Sequence, residues 1–254
     1  MAWYKKAFGS AYLDVYSHRD EKEAAKALKL IERVYRPLLG VACGPPLRIL
    51  DLCCGQGRYS ALLAGMGHEV AGVDLSEELL ALAAEKLSRK PELPGRVWLI
   101  RADMREVPFR GAFDLAINMF TSFGYFLEDA ENRRTLEAIG LALRPGGRFV
   151  IDYLNRTRVI RELVKEDSSE QEGLRVTQSR RISPDGLRVD KTVLVESPEG
   201  RENWVESVRL YNREEMERML DESGLEAGKT YGDYAGGEHG PDSPRLILTG
   251  VRRG

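Results

Sequence analysis

The sequence predicts an α/β domain, a doubly wound, seven-stranded, mainly parallel sheet with an antiparallel β meander inserted into it. Three observations carry that expectation. Between residues 47 and 153 short apolar runs alternate with helical patterns, the signature of a parallel sheet with helices on both faces. From 174 to 211 the texture becomes polar–apolar alternation. It is broken by Ser183-Pro184-Asp185-Gly186 and Ser197-Pro198-Glu199-Gly200, which carry hairpin turn chemistry. Two further strand-like runs, 225–231 and 246–252, then complete the seven.

The elements follow in order. Tyr4, Phe8, Tyr12 and Tyr16 stand four apart, which lines one face of a helix. That face is either a lid or an ordinary packing surface. Asp20 with Glu23 reads as a capping box that opens a helix to about residue 39, and Gly44-Pro45-Pro46 breaks the chain. Residues 47–54 form a nearly continuous apolar run, as a strand buried on both faces should. A helix at 58–66 and a strand at 68–73 come next, and Ser76 caps a helix that ends near 88. Strands are expected at 97–101, 113–119 and 148–153, the last preceded by a helix at 129–143 that Pro145-Gly146-Gly147 stops. The meander is read as three strands, at 174–182, 187–195 and 202–211. Asn212 with Glu215 caps a helix to about 222, and a glycine-rich loop at 232–244 separates the last two strands. The implied division is a helical cover at 1–40, a core at 41–165, the insertion at 166–211 and a returning segment at 212–254.

Composition narrows the function classes. The chain has 254 residues, 43% hydrophobic and 31% charged, with a formal net charge of −2. That is an ordinary globular balance with no field for a polyanion, so a nucleic-acid partner is not expected. No apolar run approaches the ~20 residues of a membrane span, and the opening MAWYKKAFGS lacks the apolar stretch of a secretion signal. A cytoplasmic protein is the expectation. Cys43, Cys53 and Cys54 form neither a disulfide framework nor a zinc pattern, so no metal is expected. Exposed meander edges leave both a monomer and a homodimer open.

The run Asp51-Leu52-Cys53-Cys54-Gly55-Gln56-Gly57 closes the first strand and opens a helix, where ligands of open α/β sheets bind. Glycines there let a ligand approach backbone. A dinucleotide site wants a third glycine, and Ser60 stands in its place. Asp51 also lies where a pyrophosphate would repel it, whereas a ligand with a cationic amine would welcome it. Asp74 ends the second strand, about 20 residues on, a place where an acid can accept both ribose hydroxyls. Asp103 follows the third strand beside Met104, fit to accept an adenine amino proton while the thioether packs on the ring. Each acid alone also reads as a turn residue. Together they form a spaced trio on successive strand ends.

These residues resemble the class I S-adenosylmethionine-dependent methyltransferases, whose glycine loop is commonly D-x-G-x-G-x-G. Here it is D-L-C-C-G-Q-G, with Cys53 in place of the first glycine, which fits if that backbone position is ordinary. Leu143-Arg144-Pro145-Gly146-Gly147 is similar to the family as well. The resemblance implies a Rossmann-like methyltransferase fold, with S-adenosylmethionine as cofactor and S-adenosylhomocysteine as product. It also implies that Gly55 and Gly57 cradle the methionine part, Asp74 holds the ribose, and Asp103 with Met104 holds the adenine. Asp51, Cys54, Leu75, Asn118 and Tyr12 complete the implied cofactor set. The stretch 118–126, the N-terminal aromatics and the β insertion further resemble bacterial and archaeal small-molecule methyltransferases, which implies a small-molecule acceptor.

Methyl transfer from a sulfonium is an in-line displacement in which positioning and desolvation do most of the work, so a dedicated base is optional. No catalytic dyad stands out. Phe120, Phe123, Tyr125 and Phe126 are candidates for the acceptor wall, since aromatic faces attract cations, although each can equally pack under the next helix. Tyr153 and Asn155 after the fifth strand are further candidates, as is Arg245 toward an acceptor carboxylate, although a surface ion pair is the more ordinary role for it. His18 and His239 are possible bases. The alternatives are a methyltransferase acting on protein or RNA and, further off, a nicotinamide-dependent oxidoreductase.

Overall fold

A computed structural model of the chain describes residues 3–5, 15, 21–39, 45–171, 173–198 and 200–254. The seven-stranded sheet is formed from β1 (Arg48–Leu52), β2 (Glu69–Asp74), β3 (Arg96–Arg101), β4 (Phe113–Asn118), β5 (Leu143–Leu154), β10 (Leu225–Tyr231) and β11 (Arg245–Arg252). Their order is β10-β11-β5-β4-β1-β2-β3. All pairings are parallel except those of β11, which runs antiparallel to both β5 and β10. The chain winds outward from β1 through β2 to β3 and returns to β4 on the other side of β1. That reversal opens a crevice at the carboxyl ends of β1 and β4.

Residue choice explains the layers. All six residues of β4 are buried and four of the five in β1, so both strands read as continuous apolar runs. Helix α1 (Glu21–Leu39) places Ala24, Ala27, Ile31 and Tyr35 at helical spacing, and that face is buried against one side of the sheet with Leu63 of α2 (Arg58–Gly65). Each large apolar side chain so buried stabilises by about 1.5–3 kcal/mol. The other side holds α4 (Asp129–Ala142) and α6 (Arg213–Glu222), whose Leu136, Met216 and Leu220 pack with Leu50, Phe113 and Phe149. Ser76 caps α3 (Glu77–Ser88) by accepting the Leu79 N–H at 3.2 Å, and Asn212 with Glu215 forms the expected capping box on α6.

The insertion is a separate sheet of four strands rather than three, β6 (Glu166–Gln171), β7 (Leu174–Ile182), β8 (Arg188–Ser197) and β9 (Gly200–Arg209), in that order. The sequence EDSSEQ of β6 has no apolar alternation, so only its main-chain pairing with β7 makes it a strand. Helix α5 (Arg156–Arg161) is too short to show a period. Strand β5 also begins earlier than expected, because Leu143 pairs with Phe113 immediately after α4 ends. Among the described residues no helix is long and apolar enough to cross a membrane. Tyr4 lies in a single 3-10 turn, Trp3–Lys5, while Phe8, Tyr12, Tyr16 and the cap residue Asp20 lie outside the described residues.

Candidate active site

The loop after β1 is built from left-handed backbone. Cys53, Gly55 and Gly57 have φ of 61°, 55° and 70°. Glycine reaches that region freely, whereas an L side chain such as Cys53 costs about 1–2 kcal/mol there. Cys53 is therefore not in the ordinary conformation that the sequence allowed it. The loop is pinned by Cys54 N–H to the Val73 carbonyl at 3.0 Å, by Gly57 N–H to the Cys54 carbonyl at 3.0 Å, and by Gly55 N–H to the Asp74 carboxylate at 2.8 Å. A Cβ on Gly57 would stand 3.1 Å from that of Ala83, so glycine lets α3 close on the loop.

The three acids sit on three neighbouring strand ends. Asp51 is 1% exposed and accepts the Ser60 hydroxyl at 2.6 Å. Ser60, where a dinucleotide fold would carry glycine, thus fixes the first acid. Burial pushes the Asp51 carboxyl up to about 6. Asp74 accepts Gly55 N–H through Oδ2 and Ser76 N–H through Oδ1, at 2.8 and 2.9 Å. Burial raises its pKa and these N–H groups oppose the rise. Asp103 is bound by Arg105, with Nε at 2.9 Å from Oδ1 and Nη2 at 2.6 Å from Oδ2. The Arg105 main-chain N–H also donates to Oδ1, at 3.0 Å.

All three open on one cavity of about 490 Å³. Of the residues singled out in the sequence, Asp51, Cys54, Gly55, Gly57, Asp74, Leu75, Asp103, Met104, Phe120, Tyr125 and Phe126 line it. Four do not. Asn118 is buried and ties β1 to the loop after β4, donating to the Leu52 carbonyl at 3.1 Å and the Ser122 carbonyl at 3.3 Å. Phe123 and Tyr153 are core residues, and the Tyr153 hydroxyl is spent on the Arg209 carbonyl. Arg245 is held by Asp152 at 2.7 Å instead of facing an acceptor. Tyr12, like His18, lies outside the described residues. Asn155 is also taken up internally, donating to the Gly240 and Ser243 carbonyls, and His239 does not reach the cavity.

The sequence reading missed several lining residues. Gln56 and Arg58 adjoin the glycine loop, while Lys86 and Lys90 reach it from α3 and just beyond. The i, i+4 spacing of Lys86 and Lys90 was visible, but it is indistinguishable from any solvated helix face. Tyr4, the first residue of the aromatic stripe and a lid candidate, also lines the cavity. Trp3 Nε1 donates to the Tyr125 carbonyl at 3.3 Å, the Trp3 and Tyr125 rings lie 5.0 Å apart, and Tyr4 meets Phe126 edge-on at 5.2 Å.

The donor set suits S-adenosylmethionine. The buried Asp51 and the half-buried Asp74 and Asp103 line the cavity and offer acceptors to a cationic amine and a ribose, and Leu75, Leu79 and Met104 supply apolar surface for a base. A pyrophosphate would instead meet Asp51 and Asp74.

Comparison with known proteins points the same way. A family model described as "Methyltransferase domain" matches residues 49–147, from β1 to the start of β5. YqeM of Bacillus subtilis (strain 168), a methyltransferase by its name, is 29% identical over 207 residues, covering 79% of this chain and 82% of that one. Glycine N-methyltransferase of Rattus norvegicus is 33% identical over 118 residues, but this match spans only 42% of the chain and 40% of the rat protein. Among solved structures, an S-adenosylmethionine-dependent methyltransferase from Clostridium acetobutylicum ATCC 824 shares the fold, with a TM-score of 0.81, 19% identity and coverage of 96% and 98%. The sugar N-methyltransferase KedS8 from Streptoalloteichus sp ATCC 53650 superposes with a TM-score of 0.71 at 25% identity, covering 97% and 94%. The methyltransferase-domain match over the core strands, a methyltransferase-named relative along most of the chain and this cavity together support an S-adenosylmethionine-dependent methyltransferase.

Proposed function

We propose that the enzyme methylates a small-molecule acceptor by in-line displacement, with the cavity at the carboxyl ends of β1, β2 and β4 as its active site. The observation that carries this reading is the meeting of two groups in one cavity: carboxylates Asp51, Asp74 and Asp103 on strand ends, and the aromatic group Tyr4, Phe120, Tyr125 and Phe126. S-adenosylmethionine, when bound, supplies a methyl group activated by its sulfonium. Asp51 in its ionised form pairs with the amine, Asp74 accepts the ribose hydroxyls while bracing Gly55, and Asp103 with Met104 takes the adenine. The aromatic wall excludes water and presents π faces toward the cationic centre, an attraction that grows on desolvation. Relatives named for glycine and sugar nitrogen methylation support a small acceptor.

The strand β6 carries Glu166, Asp167 and Glu170 along the meander's edge, and such an acidic edge opposes pairing with a second copy. That supports a monomer. Free thiols at Cys53 and Cys54 agree with a reducing cytoplasm. The test is incubation with methyl-labelled S-adenosylmethionine and a panel of small amines, amino sugars and phenols. The expected result is S-adenosylhomocysteine release that depends on one of the small compounds. Label that enters only added protein or RNA overturns the small-acceptor reading.

A further inference from the structure

Asp152 lies in β5 with no solvent exposure and does not line the cavity. Its Oδ1 accepts Arg245 Nε at 2.7 Å, and its Oδ2 accepts the Phe120 N–H at 2.9 Å and the Tyr234 hydroxyl at 2.6 Å. Its main-chain oxygen accepts the Thr121 N–H at 2.9 Å. Arg245 also donates Nη2 to Thr121 Oγ1 at 2.9 Å. The successive N–H groups of Phe120 and Thr121 therefore both end on one residue.

Those two residues are strained. Phe120 and Thr121 have φ of 63° and 62°, consecutive left-handed positions without a glycine. L side chains disfavour that region, and a β-branched threonine is an outlier there. Strain of this kind persists only where the surroundings over-determine it, and it concentrates at functional sites. Glycines would relieve it but would leave no ring in the wall, and the Phe120 ring lines the cavity beside Met119 and Ser122. The guanidinium groups of Arg58 and Arg245 stand 5.4 and 5.7 Å from its centroid. A buried carboxylate is costly unless paired and fully hydrogen-bonded. Here it is both, and its partners come from the returning end of the chain, Tyr234 in the loop before β11 and Arg245 at its start.

We propose that Asp152 is a positioning residue for methyl transfer: braced by Arg245 and Tyr234, it holds Phe120 and Thr121 in the left-handed turn that sets the Phe120 ring in the active-site wall. This rests on the reading that the cavity takes S-adenosylmethionine. The test is calorimetric titration of S-adenosylmethionine into wild type, Asp152→Asn, Thr121→Gly and the double variant, each checked for cooperative melting. Asp152→Asn is expected to weaken binding about tenfold, equivalent to about 1.4 kcal/mol. Glycine adopts positive φ without help, so Thr121→Gly alone should stay near wild type, and in the Asp152→Asn background it should recover at least half of the loss on a logarithmic scale. If Asp152→Asn does not fold, Tyr234→Phe removes one donor and keeps the ring, and the same rescue by Thr121→Gly is expected. A folded Asp152→Asn that binds like wild type, or one that glycine does not rescue, overturns the proposal while leaving the functional reading intact. Wild-type protein that takes up no S-adenosylmethionine overturns both.

Discussion

Gly55 donates its main-chain N–H to the Asp74 carboxylate at 2.8 Å, so the glycine loop after β1 is held in shape by the residue that ends β2. The other oxygen of Asp74 takes the Ser76 N–H that starts α3. Loop, acid and helix start are one unit, and a change at Asp74 acts on the cavity lining and the loop shape together.

Binding of S-adenosylmethionine should depend on pH through Asp51. Burial raises its carboxyl to about 6, and a cationic amine stabilises the charged form. Affinity should therefore rise with pH up to about 6 and then level off, with proton uptake by the free enzyme below that point. The limiting slope is about tenfold per pH unit, and Asp51→Asn should flatten it. The same raised pKa makes the sign for the unliganded fold opposite. Stability contributed by protonated Asp51 falls as pH rises from the unfolded value near 4 to about 6. Titration calorimetry at several pH values and melts of the free protein check both.

Cys53 should tolerate glycine and reject branched side chains. Its φ of 61° costs a side-chain-bearing residue about 1–2 kcal/mol, which glycine avoids, although glycine forfeits the Cys53 contact with Met104 at 3.7 Å. Cys53→Gly should unfold within about 1 kcal/mol of wild type in denaturant, and Cys53→Val should lose about 2 kcal/mol.

Much of this was legible in the chain. The switch-point strands β1 and β4 announce themselves because strands buried on both faces must be apolar throughout, and the trio Asp51, Asp74 and Asp103 follows from where β1, β2 and β3 end. What stayed hidden depends on tertiary contact. Strand β6 is defined by pairing alone. Phe123 and Phe126 look alike in sequence, yet one is packed between Tyr153 and Tyr211 while the other reaches the cavity. An ion pair was one reading of Arg245, but nothing local names its partner, the buried Asp152 93 positions away. No local pattern foretells the left-handed turn at Phe120 and Thr121 either, because neither residue favours it.

The N-terminal turn should contribute to binding. Tyr4 lines the cavity and packs edge-on against Phe126, a contact type worth about 0.5–1.5 kcal/mol. Tyr4→Ala should weaken S-adenosylmethionine about two- to tenfold by calorimetry. Trp98→Ala, on the exposed face of edge strand β3, should leave it unchanged.

Arg188 should couple the meander to the aromatic wall. Its guanidinium donates to the carbonyls of Phe126 at 2.9 Å, Gly124 at 3.2 Å and Ser207 at 2.8 Å. Arg188→Ala should cost about 2 kcal/mol in denaturant titration, and Arg188→Lys should recover only part, because an ammonium cannot span those acceptors as a planar fork does.

The most direct test of the central claim is calorimetric titration of the purified chain with S-adenosylmethionine and with NAD, repeated on Asp74→Ala. The account predicts saturable binding of S-adenosylmethionine and none of NAD. Asp74→Ala should weaken that binding by about tenfold to a hundredfold, as expected for losing hydrogen bonds to a charged group. Binding of NAD in place of S-adenosylmethionine, or an affinity untouched by Asp74→Ala, would contradict it.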